Sequence, residues 1–173
     1  MRFDAILGLG TNMGDKPANI ERAIALIAAP GDVRVLARSP LYRTAAWGKT
    51  DQDWFVNACI GVATDLSARD LLARCQDVEA RMGRERKEHW GPRVIDVDIL
   101  TYRDATIRER DLTVPHPLIA QRAFVLVPLA DIAPDVEIGG RRIADLLRDI
   151  DPREVVVLDR EADNPAAGAA DTK

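Results

Sequence analysis

Two aspartates, Asp96 and Asp98, stand two apart inside the apolar run Val94-Ile-Asp-Val-Asp-Ile-Leu100. β-Branched and aliphatic residues at Val94, Ile95, Val97, Ile99 and Leu100 mark the run as a mostly buried strand. Alternate residues of a strand project to one face, so the two carboxylates share a face at roughly 6.5–7 Å along the chain. Strands avoid Asp, and two like charges so placed repel unless a cation lies between them. A hard divalent ion suits such a pair. The plainer alternative is a solvated sheet face, which accommodates one Asp comfortably and two with strain.

The preceding segment favours a ligand. Arg81, Arg84, Arg86, Lys87 and Arg93 crowd into it beside His89 and Trp90, in a chain of formal net charge −4. Magnesium takes one or two carboxylates plus phosphate oxygens, and arginines neutralise the remaining charge. A basic loop feeding a paired-carboxylate strand therefore points to a nucleoside triphosphate.

Other candidates depend on the elements that carry them. Ser67-Ala-Arg-Asp70 is a capping pattern that opens a helix. Leu71, Cys75, Val78 and Met82 form its apolar stripe, Gly83 ends it, and Gln76 and Glu79 share a neighbouring face. This helix leads straight into the basic loop. Phe55 to Asp65 reads as a strand with Val56, Ala58, Ile60 and Val62 on one face and Phe55, Asn57 and Cys59 on the other. An amide among apolar neighbours needs partners, which a ligand edge or the backbone can supply. Ahead of it, residues 44–54 form a polar loop carrying Trp47 and Trp54, rings that either pack beneath the loop or stack on a planar ligand. His116 is held between Pro115 and Pro117, whose rings restrict the backbone.

Phe3 to Leu9 is the first strand, ending in Gly8-Leu-Gly10. A dinucleotide-binding turn is disfavoured there, because Asn12, Gly14 and Asp15 prolong the loop and Asp15 and Pro17 place the helix start later. Ile20, Ala23, Ile24 and Ile27 give that helix an apolar stripe. A second strand begins at Val33 and runs on through Tyr42 with a break at Pro40. Short helices are expected between Leu118 and Ile132 and at Ile143 to Leu147, and a last strand at Glu154 to Leu158.

The order strand, helix, strand, strand, helix, strand is that of a ferredoxin-like βαββαβ core of the α+β class. An antiparallel sheet with helices on one face follows, with the carboxylate strand in the sheet interior and short C-terminal helices and a strand added. Residues 1–160 are expected to form one domain and residues 161–173, poor in large apolar side chains, a disordered tail. At 47% hydrophobic and 30% charged, the composition is that of a globular protein. The acidic total gives no overall pull toward nucleic acid. Cys59 and Cys75 read as buried free thiols, and no stretch is long enough to span a bilayer, so a cytoplasmic protein without membrane or nucleic-acid partners is expected.

These residues also carry a resemblance. Gly8-Leu-Gly10-Thr-Asn12, Tyr42-Arg43-Thr44, Asn57-Ala58, Gly83-Arg84, Trp90-Gly-Pro-Arg-Val-Ile-Asp96-Val-Asp98 and Val114-Pro-His116-Pro, followed by Arg122, Phe124 and Pro128-Leu129, resemble the 6-hydroxymethyl-7,8-dihydropterin pyrophosphokinases of folate synthesis. The resemblance implies a monomeric enzyme that moves the β,γ-pyrophosphoryl group of ATP to the pterin hydroxymethyl oxygen and releases AMP. It implies catalysis by Asp96, Asp98, Arg84 and Arg93, with Asp96 and Asp98 binding two Mg²⁺ ions. ATP would be held by Gln76, Glu79, Arg84, Arg86, Lys87, Trp90, Arg93, Ile99, His116 and Arg122. The pterin would lie between Phe55 and Phe124, among Thr44, Ala46, Trp47, Asn57, Trp90 and Asp96. The chain departs from the family pattern at Ala45 and Ala46, where prolines are usual, and at His89, where Arg is common.

Overall fold

The computed structural model describes residues 3–46, 51–83 and 93–158. The expectations for Trp47, Arg84, Arg86, Lys87, His89, Trp90 and the tail lie outside these residues.

Strand β1 (Ala5–Thr11) leads to helix α1 (Lys16–Ala28), followed by β2 (Val33–Arg38), β3 (Tyr42–Thr44) and β4 (Phe55–Thr64). Helix α2 (Ala68–Arg81) and strand β5 (Asp96–Tyr102) complete the core. Both helices start where their caps dictate. The Asp15 carboxylate accepts from the Ala18 N–H at 3.1 Å, and the Ser67 hydroxyl accepts from Asp70 N–H at 3.0 Å. Gly83, at φ +84°, ends α2 in a conformation that glycine adopts freely.

The antiparallel sheet has β1 between β5 and β4, with β2 and β3 paired in succession to the other edge of β4. This is the expected split βαβ order, and β2 and β3 are the single strand predicted to break at Pro40. Beyond the core lie the hairpin β6 (Ile107–Arg108) and β7 (Thr113–Val114), a 3-10 turn (Ile119–Gln121) and helix α3 (Ala123–Ile132). A second hairpin, β8 (Glu137–Ile138) with β9 (Arg141–Arg142), precedes the short helix α4 (Ile143–Leu147). Strand β10 (Val155–Val157) then adds to β3. Among the described residues no helix is long and apolar enough to cross a membrane.

Two expectations are corrected. The carboxylate strand β5 lies at the edge of the sheet, because split βαβ connectivity sets the last strand outside the first. Its outer rim is covered nonetheless. Val97 N–H donates to the Glu79 carboxylate at 2.9 Å, and His116 N–H donates to Leu100 C=O at 2.9 Å. The first strand also runs on past Leu9 to Thr11, so Gly10 is an interior strand residue instead of part of the loop.

Both faces of the sheet are packed. Leu7, Leu9, Val56, Ile60, Val97 and Ile99 meet Ile20, Ile24, Ile27, Leu71, Cys75 and Val78 of α1 and α2. On the opposite face Ile6, Cys59 and Leu100 meet Leu126 and Leu129 of α3 and Ile143 and Leu146 of α4. This second layer covers one end of its face, where the strands present large apolar side chains. Toward the other end the same strand faces carry Gly8, Gly10, Asp96, Asp98, Phe55 and Asn57, and there a cavity opens.

Candidate active site

The sheet register assembles the site in two rows. Asp96 pairs with Gly10, which pairs with Asn57; one step along, Asp98 pairs with Gly8, which pairs with Cys59. Neighbouring strands lie about 4.8 Å apart, so the carboxylates and Asn57 are two strands apart across a floor with no side chains. The cavity above this floor has a volume of about 350 Å³. Thr44, Phe55, Asn57 and Phe124 line it over the sheet, Arg93, Asp96, Asp98, His116 and Arg122 in its middle, and Leu72, Gln76, Glu79 and Asp111 past the edge of β5.

Gly10 is required by its neighbour. A Cβ there would lie 2.6 Å from the Asn57 side-chain oxygen, well inside contact distance. Asn57 is 7% exposed and donates through Nδ2 to the Thr44 hydroxyl at 2.6 Å, which fixes its amide where it lines the cavity. Phe55 and Phe124 are both half-buried. Phe124 lies in the first turn of α3, with the Arg122 guanidinium 5.5 Å from its ring centroid.

The electrostatics are dominated by converging acids. Burial, then the charges of Asp96 and Glu79, push the Asp98 carboxyl up to about 7 against the opposing pull of Arg122 and Arg93. Arg93 donates from Nη1 to Asp96 Oδ2 at 2.6 Å. A group held this way favours a cation, and two carboxylates on one strand face are the donor set that a hard divalent ion takes alongside phosphate oxygens and water. Burial, then the charge of Arg122, lowers the His116 pKa, and His116 Nδ1 accepts from Leu118 N–H at 3.2 Å. The neutral ring therefore carries its proton on Nε2, and His116 offers a hydrogen-bond donor in place of a cation.

Most of the candidates among the described residues come together: Gln76, Glu79, Arg93, Asp96, Asp98, His116 and Arg122 with Thr44, Phe55, Asn57 and Phe124. Two do not. Ile99 differs in parity from the aspartates, so its side chain is buried in the helix-side core at 4% exposure. Ala46 is half-buried and its neighbour Ala45 lines the cavity instead. Trp54, left open between packing and ligand, packs: Lys16 Nζ lies 3.5 Å from its ring centroid.

Sequence reasoning assigned no role to Asn12. Its side-chain oxygen accepts from Arg93 N–H at 2.8 Å, its own N–H donates to Arg93 C=O at 3.1 Å, and its Nδ2 donates to Gln52 Oε1 and Asp53 C=O. One buried amide thus ties the end of β1 to Arg93 and to the stem of the 45–54 connection. Its signal in sequence was its place in the motif Gly8-Leu-Gly10-Thr-Asn12, which carries no partner with it.

Residues 6–134 match the family described as 7,8-dihydro-6-hydroxymethylpterin-pyrophosphokinase (HPPK). The chain is similar to the 2-amino-4-hydroxy-6-hydroxymethyldihydropteridine pyrophosphokinase of Methylorubrum extorquens, at 50% identity over 148 residues, covering 86% of this chain and 94% of the relative. It is 39% identical over 142 residues to the Pseudomonas aeruginosa protein of the same name, covering 82% and 88%. Among solved structures, an HPPK-DHPS crystallised with substrates matches with TM-score 0.68 at 14% identity, over 84% of this chain and 42% of that one. Plasmodium falciparum HPPK-DHPS matches with TM-score 0.64 at 16% identity, over 84% and 43%. The chain spans less than half of those two longer chains, and at such identity the likeness is one of fold.

Proposed function

Because the chain belongs to the 7,8-dihydro-6-hydroxymethylpterin-pyrophosphokinase family, we propose that the cavity floored by Gly8 and Gly10 is where ATP and the pterin meet. The enzyme transfers the pyrophosphoryl group of ATP to 6-hydroxymethyl-7,8-dihydropterin in folate biosynthesis. In this reading the hydroxymethyl oxygen displaces AMP from the β-phosphorus, so the β,γ-diphosphate moves as a unit. The observation that carries the reading is the row Asp96, Gly10, Asn57, which sets carboxylates and a hydrogen-bonding amide on either side of a bare floor.

The pterin lies over that floor between Phe55 and Phe124, with its donor-acceptor edge read by Asn57, itself oriented by Thr44. Asp96 and Asp98 hold two Mg²⁺ ions, which when bound neutralise the triphosphate and polarise its phosphoryl oxygens. Arg93 and Arg122 add fixed positive charge, and His116 donates through Nε2. Gln76, Glu79 and Leu72 wall the nucleotide end past the edge of β5, and any part Ile99 plays falls to its backbone. Arg84, Arg86, Lys87, Trp47 and Trp90 complete the site on sequence grounds alone. The two free buried thiols, Cys59 and Cys75, suit a reducing cytoplasm.

Removal of one stacking ring tests the pterin assignment. Phe124→Ala is expected to weaken binding of 6-hydroxymethylpterin about tenfold, the loss of one aromatic stack and its buried area, and to leave the affinity for Mg-ATP unchanged. Ligand fluorescence titration reads both. Equal loss for the two ligands, or none for the pterin, would place the ring elsewhere.

A further inference from the structure

Lys16 occupies a costly position. It opens α1, where the helix dipole disfavours a cation, and it is only 6% exposed. A buried ammonium needs compensation, and two groups supply it. Its Nζ donates to Asp53 Oδ2 at 2.8 Å and sits 3.5 Å from the centroid of the Trp54 ring. Arg43 also stacks on that ring, its guanidinium carbon 4.7 Å from the centroid. Asp53 is further tied by its Oδ1, which accepts from Trp54 N–H at 2.9 Å.

These contacts converge on one point of the sheet. Arg43 immediately precedes Thr44 and Trp54 immediately precedes Phe55, and Thr44 and Phe55 are paired across β3 and β4. Both line the cavity, and Thr44 orients Asn57. The Trp54 ring, in contact with both Lys16 and Arg43, therefore holds the chain on both sides of the pair that faces the pterin.

We propose that Lys16 is a positioning residue for pterin binding: through Asp53 and Trp54 it fixes residues 51–54 and so presets Thr44, Phe55 and Asn57 for the ring. The inference rests on the assignment of the pterin to the Phe55 and Asn57 side of the cavity. Without the Lys16 and Trp54 contacts, those residues would have to be ordered when the ligand arrives, and the loss appears in pterin affinity. The nucleotide end is built on α2, β5 and the β6–β7 hairpin, and is linked to residues 51–54 through Asn12, which holds Arg93 by hydrogen bonds separate from those it makes to Gln52 and Asp53.

The test compares Lys16→Met, Lys16→Arg and Asn57→Ala in the full chain, with 6-hydroxymethylpterin and α,β-methylene-ATP plus Mg²⁺ as probes. Lys16→Met is expected to raise the pterin Kd and KM about tenfold, with kcat and the nucleotide Kd within about twofold. Lys16→Arg, which keeps the cation and its stacking, should restore pterin affinity to within about threefold. Should Lys16→Met not fold, Trp54→Leu, which removes the ring both cations use, takes its place in each comparison. Wild-type pterin affinity in the Lys16 or Trp54 variant, with affinity lost in Asn57→Ala, overturns the inference alone. Equal weakening of pterin and nucleotide overturns it in favour of a purely structural lysine. Unchanged pterin affinity in Asn57→Ala overturns the underlying assignment and the inference with it.

Discussion

Asp98→Asn is expected to be more stable than the wild-type chain at pH 8 in metal-free buffer, and to lose turnover by orders of magnitude. The folded Asp98 carboxyl titrates at about 7, against an ordinary value of 3.8, because burial, Asp96 and Glu79 all resist its charge. Between those two values the folded state binds more protons than the unfolded state, so stability falls as pH rises through that window. Asparagine carries no such charge. Its advantage should be largest above pH 7 and vanish near pH 4, as read by thermal unfolding in EDTA across that range. Asp96→Asn should lose turnover equally but gain nothing in stability, since it breaks the 2.6 Å pair with Arg93. The opposite stability ranking, or wild-type turnover in either variant, would contradict the roles given to the two carboxylates.

Gly10→Ala is expected to fold and to lose at least tenfold in kcat/KM for the pterin, about 1.4 kcal/mol or more. The added Cβ would meet the Asn57 oxygen at 2.6 Å, and Asn57 cannot swing away without breaking its 2.6 Å bond to Thr44. The added methyl also stands on the floor between the amide and the carboxylates. Gly8→Ala is the internal control. Its nearest neighbours are the Leu100 methyls at 3.4 Å, which can yield slightly, so the loss should be smaller. Steady-state kinetics of the two variants side by side decide the matter, and a more damaging Gly8→Ala would contradict the geometry.

Much of this site is written in periodicities. The caps at Asp15 and Ser67, the stripes of α1 and α2 and the break at Pro40 all follow from local rules, and they suffice for the split βαβ order. The shared face of Asp96 and Asp98 follows from the two-residue period of a strand, and so does the inward turn of Ile99, which parity alone assigns to the opposite side. The hairpin of β8 and β9 turns on Gly139 and Gly140, both at positive φ, a signal present in sequence and passed over. Other features depend on contacts between distant segments. Gly10 looks like the start of a loop because glycine weakens strands, and only the register with Asn57 explains it. The edge position of β5 is masked by its apolar sequence, which reflects two packed cores and the covering carboxylate of Glu79. Asn12 and Lys16 owe their roles to partners some 40 and 80 residues away, Gln52, Asp53 and Arg93.

The most direct test is to incubate the protein with Mg-ATP and 6-hydroxymethyl-7,8-dihydropterin and identify the nucleotide that accumulates. The expected result is AMP, formed only when the pterin is present and in equal amount to the pterin diphosphate. ADP as the product, or AMP formed equally without pterin, would contradict transfer of the β,γ-diphosphate as a unit.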